Sequence, residues 1–264
     1  MTQRLPLRQA LVLGAIQGPA EVLPVSSSAH LTLVPALAGW SYSGLEPEVR
    51  KSFEVAVHAG SAAALALALR HELATLRRGE LASILLSALP PGLAGLAFER
   101  QVERRLGHIR ALGVTQVAAG LALWLADRRG GTERQQPGTL DHLAVGLGEA
   151  LALVPGVSRS GAALTAARLR GLSRAAAGRL SRRTALPVVG GAVALKGWRT
   201  ARGGVPRELL PAFAAGASAS FAAALAAAGL VAHLDRARSY APYGAYRVAL
   251  GLATVALARR PKRT

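Results

Sequence analysis

Two short runs hold the groups able to act on an anionic substrate. The first is Gln17-Gly18-Pro19-Ala20-Glu21-Val22-Leu23-Pro24-Val25-Ser26-Ser27-Ser28-Ala29-His30, a carboxylate followed by a serine cluster and an imidazole. Glu21 is the one charged residue between Arg8 and Leu45. In a membrane an ionised carboxylate costs about 3 kcal/mol unless it meets a cavity or a partner, which makes Glu21 a site candidate. The competing reading is a glutamate at the interface with its head in water. His30 alone would read as a structural histidine. Beside three serines and a carboxylate it becomes a candidate for acid–base or nucleophilic work, with Ser27 as the hydroxyl to be activated and Ser26 and Gln17 as substrate-contacting groups.

The second run is Pro155-Gly156-Val157-Ser158-Arg159-Ser160-Gly161. A guanidinium is always charged and presents a planar fork of donors, so in apolar surroundings Arg159 needs an anion, and phosphate matches its geometry. Gly156 and Gly161 let the backbone turn and approach a ligand, while Ser158 and Ser160 add hydroxyls. A helix opening at Ser160 or Gly161 would aim free N–H groups at the same anion. The plainer alternative is a loop arginine paired with Glu21 or Glu149. Glu149, upstream of this run, is taken with Gln17, Ser26, Ser158, Ser160 and Gly161 as substrate-binding.

The elements that must position these groups are membrane helices. The chain has 264 residues, 51% of them hydrophobic and only 17% charged, whereas a soluble domain carries about a quarter of its residues as charges. The mean hydropathy is +0.31. Apolar runs at Leu209–Ala232, Phe53–Leu69, Leu81–Phe98, Ala111–Ala126, Thr184–Leu195 and Tyr246–Ala258 predict spanning helices, the first being the longest uncharged run. Leu7–Ala38 and Leu140–Leu172 are apolar but interrupted by Pro, Gly and Ser, which predicts broken or re-entrant pairs. The interruptions resemble each other and fall in corresponding places, the mark of an inverted repeat with its site at the repeat interface. The predicted fold is thus an all-α, polytopic helical bundle forming one domain over 1–264, with repeat halves 1–130 and 131–264.

The net charge of +18 would suit nucleic acid. Its placement does not: Arg70, Arg77, Arg78, Arg128, Arg129, Arg134, Arg182, Arg183, Arg259, Arg260, Lys262 and Arg263 lie between or after apolar runs, as cytoplasmic loops and a tail would. No aromatic interleaving accompanies them, so no nucleic-acid partner is expected. With no cysteine, disulfides, thiolate metal sites and a cysteine nucleophile are excluded. Arg4 and Arg8 precede an apolar stretch without a small-residue cleavage site, and no cleaved signal peptide is read there. Glu54 and His58, one turn apart, share a helix face and either line the pocket or, the favoured reading, cap its wall. Arg168, Arg170 and Arg174 are expected in a membrane-surface loop, with Arg168 within reach of a phosphate.

Taken together, the two runs resemble the motifs of the undecaprenyl-diphosphate phosphatase (bacitracin-resistance) family: a Gln/Glu-rich segment ending in Pro, a Ser cluster and His, and Pro-Gly-x-Ser-Arg-Ser-Gly. Phe53-Glu54, Gly60-Ser61, Leu151-Ala152-Leu153, Gly171-Leu172-Ser173-Arg174 and Leu186-Pro187 are similar in kind and order. The resemblance implies a membrane phosphohydrolase that removes the terminal phosphate of undecaprenyl diphosphate, recycling the lipid carrier of cell-wall synthesis. It further implies a bacterial inner-membrane location with the site open to the periplasm, bacitracin resistance on overproduction, and a divalent cation, Mg²⁺ or Ca²⁺, with Glu21 as a metal ligand. Glu21, Ser27, His30, Ser158 and Arg159 match the family's functional positions. Expected partners are the polyprenyl-diphosphate substrate and membrane lipid, with a homodimer left open.

Departures from the pattern are Gln17 where many members have Glu, Ala29 where Gly precedes the His, Ala163 where Thr is frequent, and Glu149 where Gln is usual. Gln17 and Glu149 look exchanged, as though they face each other and keep the site's charge constant. The nucleophile stays open between Ser27, His30 and a water. A lipid or small-anion transporter on the same repeat is the rival function, and a purely structural membrane protein the third reading.

Overall fold

The computed structural model describes residues 4–129, 133–235 and 238–258. They are helical, and among them the one β-bridge joins Arg134 to Leu172. The basic tail Arg259, Arg260, Lys262 and Arg263 lies outside the described residues. Four helical stretches are long and apolar enough to cross a bilayer: Pro47–Ala74, Arg78–Leu106, Ile109–Arg129 and Arg207–Ala227.

Both interrupted regions are helical pairs. The first is α1 (Leu7–Val22) and α2 (Ser27–Leu37), and the second, after α3 (Pro47–Ala74), α4 (Arg78–Ser87), α5 (Leu89–Leu106) and α6 (Ile109–Arg129), is α7 (Thr139–Leu151) and α8 (Arg159–Leu169). α9 (Arg174–Gly203), α10 (Leu210–Asp235) and α11 (Ala241–Leu257) complete the order. α1 stops because Pro24 forces its predecessor out of the helical region, and Leu23 is extended at φ −80°, ψ 149°. α7 instead tightens: Ala152, Leu153 and Val154 donate to carbonyls three residues back, a 3₁₀ exit that delivers the chain to Pro155.

Of the six runs read as spans, Phe53–Leu69, Leu81–Phe98, Ala111–Ala126 and Leu209–Ala232 fall on the four stretches long and apolar enough to cross a bilayer, whereas Thr184–Leu195 and Tyr246–Ala258 fall on α9 and α11, which are helical but not among them. Leu81–Phe98 falls across α4 and α5, which meet at Ala88 because Pro90 and Pro91 fit only the first turn of a helix. Thr184–Leu195 is the middle of α9, whose 30 residues at about 1.5 Å each exceed the hydrocarbon thickness. Arg182 and Arg183, expected in a loop, lie inside α9, where Arg183 pairs with Glu72 of α3 and, at 3.8 Å, with Glu80 of α4. Arg168 is likewise no loop residue. It is 1% exposed in α8 and ion-paired with Asp127 at 3.2 Å and Glu133 at 3.1 Å, so it is committed elsewhere than to phosphate. Asp127 also accepts from Arg174 Nε at 2.7 Å and from the Tyr240 N–H at 2.8 Å, gathering α6, α8, α9 and α11.

Packing takes two forms. One apolar core, with Phe53 edge-on to both Tyr42 and Phe213, sits under α1–α2, and a second, from Leu123 and Val145 to Leu180 and Tyr240, under α7–α8. Between them, helices approach through small residues, as association in lipid favours. α1 lies on α10 with Gly14 against the Gly216 backbone. α6 crosses α11 reciprocally: a methyl group on Gly113 would lie 2.8 Å from the Gly251 oxygen, and one on Gly251 would lie 2.6 Å from the Gly113 oxygen. α5 buries no side chain and presents Leu93, Leu96 and Phe98, a lipid-facing surface.

Candidate active site

The tips of the two helical pairs dock on each other. Ser160 Oγ donates to the Leu23 carbonyl at 2.9 Å, and the Gly156 N–H reaches Ser28 Oγ at 3.4 Å. α6 holds both tips from below: Gln116 Nε2 donates to the Val25 carbonyl at 3.0 Å, and Thr115 Oγ1 donates to the Pro155 carbonyl. A side chain at Gly156, which has φ +93°, would strike Thr115, so glycine is needed there for both space and conformation.

Each tip starts its second helix with a serine in a sparsely populated conformation, Ser26 at φ 72°, ψ 99° and Ser158 at φ 66°, ψ 115°. Their hydroxyls pair two residues on, Ser26 with Ser28 at 3.1 Å and Ser158 with Ser160 at 3.3 Å. Ser158 also caps α8, accepting from the Gly161 N–H at 3.2 Å. The helix therefore opens at Arg159, earlier than the Ser160 or Gly161 of the sequence reading.

Arg159 is the hub. Its Nε and Nη2 donate to Glu21 Oε1 at 3.3 Å, Nη2 also to the Glu21 carbonyl at 3.2 Å, and Nη1 to Glu149 Oε1 at 3.3 Å and the Ser181 carbonyl at 3.2 Å. Gln17 Nε2 completes the Glu21 side at 2.9 Å, and Thr184 Oγ1 the Glu149 side at 3.2 Å. Gln17 and Glu149 are thus joined through Glu21 and Arg159. Of the two readings of Arg159, the structure shows the plainer one, a partner of both carboxylates, with Nε, Nη1 and Nη2 all donating to Glu21, Glu149 or a backbone carbonyl. The buried Gln17 Oε1 and Glu149 Oε2 have no hydrogen-bond partner among the described residues.

His30 Nδ1 lies 2.8 Å from the Ser26 carbonyl, which can only accept, so Nδ1 carries the proton and Nε2 is a lone pair. Nε2 takes a 2.6 Å hydrogen bond from the Tyr246 hydroxyl. Ser27, at the start of α2 and one turn before His30, is half-buried, and its hydroxyl has no side-chain partner among the described residues. His58 donates from Nδ1 to the Glu54 carbonyl at 2.8 Å and so turns Nε2 to within 3.6 Å of Glu21 Oε2. It stands at the carboxylate, while Glu54 is the wall residue, accepting from Tyr42 at 3.3 Å.

The sequence reading missed Thr115, Gln116, Ser181, Thr184, Tyr246 and Arg247. The signal for Arg247 was available: it is a lone charge inside an apolar run, the pattern that flagged Glu21. It is fully buried and donates from Nη2 to the Gly156 and Val157 carbonyls at 2.9 and 2.6 Å. Thr184, a neutral residue in an alanine-rich helix, carried no such signal.

Residues 10–253 match the family model for the bacitracin resistance protein BacA. The chain is 37% identical to the undecaprenyl-diphosphatase of Pelobacter propionicus, covering 95% of this chain and 97% of that one. It is 36% identical to that of Nocardioides sp., covering 94% and 95%, and 35% identical to that of Geobacter sulfurreducens, covering 95% and 97%. A family model spanning both docked tips and every helix between them leaves no part of the site outside the match, and the chain belongs to the bacitracin resistance protein BacA family.

Proposed function

We propose that this chain hydrolyses undecaprenyl diphosphate to undecaprenyl phosphate and inorganic phosphate, recycling the lipid carrier of cell-wall synthesis. The observation that carries the reading is the docking of a helix N-terminus bearing Arg159 onto a tip bearing Glu21, Ser27 and His30, in a chain similar over nearly its whole length to undecaprenyl-diphosphatases. A diphosphate repels nucleophiles through its own oxygens, so catalysis must neutralise charge and align the groups. Arg159 and the first N–H groups of α8 serve the first need. For the second, the Ser27 oxygen attacks the terminal phosphorus, its proton passes to Glu21 or, by way of the Tyr246 hydroxyl that occupies the Nε2 lone pair, to His30, and the bond to the bridging oxygen breaks. Water then hydrolyses the phosphoserine, returning the proton. The free Ser27 hydroxyl and the committed Nδ1 of His30 favour this assignment over direct attack by His30.

The donors suit a hard cation that substrate helps to hold. Among the described residues no three acidic or imidazole side chains form a metal cluster, but Glu21 lies beside the unpartnered Gln17 Oε1, and Mg²⁺ commonly takes one or two carboxylates plus substrate phosphates. Mg²⁺ or Ca²⁺ on Glu21 would offset the charge of the diphosphate oxygens. The family assignment and the apolar spans support a membrane location. Within the proposal that membrane is the bacterial inner membrane, with the tips open to the periplasmic side and the prenyl tail among lipid-facing helices. A homodimer is compatible with the same reading. The deciding measurement is phosphate release from undecaprenyl diphosphate by detergent-purified protein, with and without Mg²⁺, beside Glu21→Ala and Arg159→Ala. Hydrolysis needs no second compartment, so a folded wild type that releases nothing would point to the transporter instead.

A further inference from the structure

His30 is held at both ring nitrogens. The Ser26 carbonyl fixes the tautomer from one side, and Tyr246 meets the other at 2.6 Å while its ring lies parallel to the imidazole, 9° between planes and 5.8 Å between centroids. With both nitrogens engaged, Nε2 takes a proton only through the Tyr246 hydroxyl, which hands over its own proton and accepts one in exchange, so the contact survives both states of a proton-transfer cycle. The hydrogen-bond partner of the proton acceptor is therefore a residue of α11, far away in sequence.

α11 is itself fastened to the opposite tip. The next residue, Arg247, is fully buried, grips the Gly156 and Val157 carbonyls, and faces no carboxylate among the described residues. With those carbonyls turned toward Arg247, planarity of the peptide aims the Ser158 N–H the other way. Arg247 Nη1 fills the space a side chain at Gly161 would need, so the guanidinium also lies under the first turn of α8. Two consecutive side chains of one helix thus reach the two tips, one His30 and the other the phosphate-facing loop.

We propose that Tyr246 serves the phosphohydrolase reaction by holding the plane of the His30 imidazole and passing the nucleophile's proton to its Nε2, with Arg247 fixing the height of α11 against the second tip. The proposal rests on the role of His30 given above. It acts through His30 alone, which separates it from a packing role.

The test is phosphate release from undecaprenyl diphosphate in detergent by Tyr246→Phe, His30→Gln and the double variant. Tyr246→Phe keeps the stacked ring and removes only the hydroxyl. It should lower kcat about tenfold with KM within about twofold, and in the His30→Gln background it should change residual turnover by less than about twofold. A second readout is the ¹⁵N resonances of the His30 imidazole in selectively labelled protein, which decides if His30→Gln has no measurable turnover: the Nδ1–H tautomer, held by the Ser26 carbonyl, should persist in Tyr246→Phe while the Nε2 resonance shifts on losing its donor. Full activity in Tyr246→Phe, a loss additive with His30→Gln, or unchanged ¹⁵N resonances would overturn the proposal while leaving His30 in place. A fully active His30→Gln would overturn both, and would show the fault in the role of His30 itself.

Discussion

Ser26 and Ser158 begin α2 and α8 with nearly the same strained dihedrals and the same hydroxyl partner two residues on. Beyond these serines the two tips diverge. Ser27 takes the place that Arg159 holds in the second tip, Ala29 the place of Gly161, and Gln17 stands in α1 much as Glu149 stands in α7. On the proposed mechanism the first tip carries the groups that move protons and the second carries the fixed cation. We infer that the halves 1–130 and 131–264 are repeats whose shared backbone, with unequal side chains, sets the proposed nucleophile and the proposed anion clamp face to face.

The largest break in this division is Arg159→Ala. It removes the clamp and leaves Glu21 and Glu149 as buried, uncompensated carboxylates, and phosphate release should fall by about a thousandfold or more, a cost of about 4 kcal/mol in the transition state. Ser27→Arg, which would make the first tip like the second, should be just as inactive despite keeping every charge of the clamp. Retained turnover in either variant would end the assignment.

Next in size is the contrast between Gly161→Ala and Ala29→Gly. Position 29 already accommodates a side chain at zero exposure, whereas one at 161 would displace Arg247 Nη1. Activity should drop about tenfold in Gly161→Ala and stay within about twofold in Ala29→Gly. Equal effects would mean that the two tips are packed alike.

Gln17→Glu and Glu149→Gln probe the charge exchanged between α1 and α7. Gln17→Glu sets a second carboxylate beside Glu21, and Glu149→Gln takes one of two anions from Arg159. Each single change should cost several-fold in turnover, and the double change should recover most of it. Simple addition of the losses would show that the two positions act separately.

Smallest is the release of backbone strain. Glycine adopts the conformation of Ser26 and Ser158 without penalty, and relief amounts to about 1 kcal/mol. Ser26 makes no capping bond while Ser158 does, so Ser26→Gly should raise Tm by a few degrees and Ser158→Gly by less. Thermal scans in one detergent compare them directly.

Much of this arrangement was legible beforehand. Isolated charges in apolar runs pointed to Glu21 and Arg159, and Pro24 and Pro155 marked where the helices break, because cost in lipid and loss of an N–H are local properties of sequence. Partnerships were not legible. Nothing local says that Arg183 meets Glu72 within a helix and not in a loop, that Arg168 is spent on Asp127, or that His58 turns toward Glu21. Tyr246 fell at the edge of an apolar run, where tyrosine is ordinary at a membrane interface, and only the crossing of α6 with α11 brings it to His30.

The bond from Tyr246 to His30 spans 216 residues, and that from Arg159 to Glu21 spans 138. At about 5 to 20 residues per second of synthesis, the first tip waits roughly 7 to 30 s for its cation and roughly 10 to 40 s for the tyrosine. During biogenesis the membrane therefore receives a carboxylate and an imidazole well before their partners exist. A ribosome-bound chain halted ahead of α11 would hold every element of the first half and an unfinished centre, so competence arrives only with the last described helix.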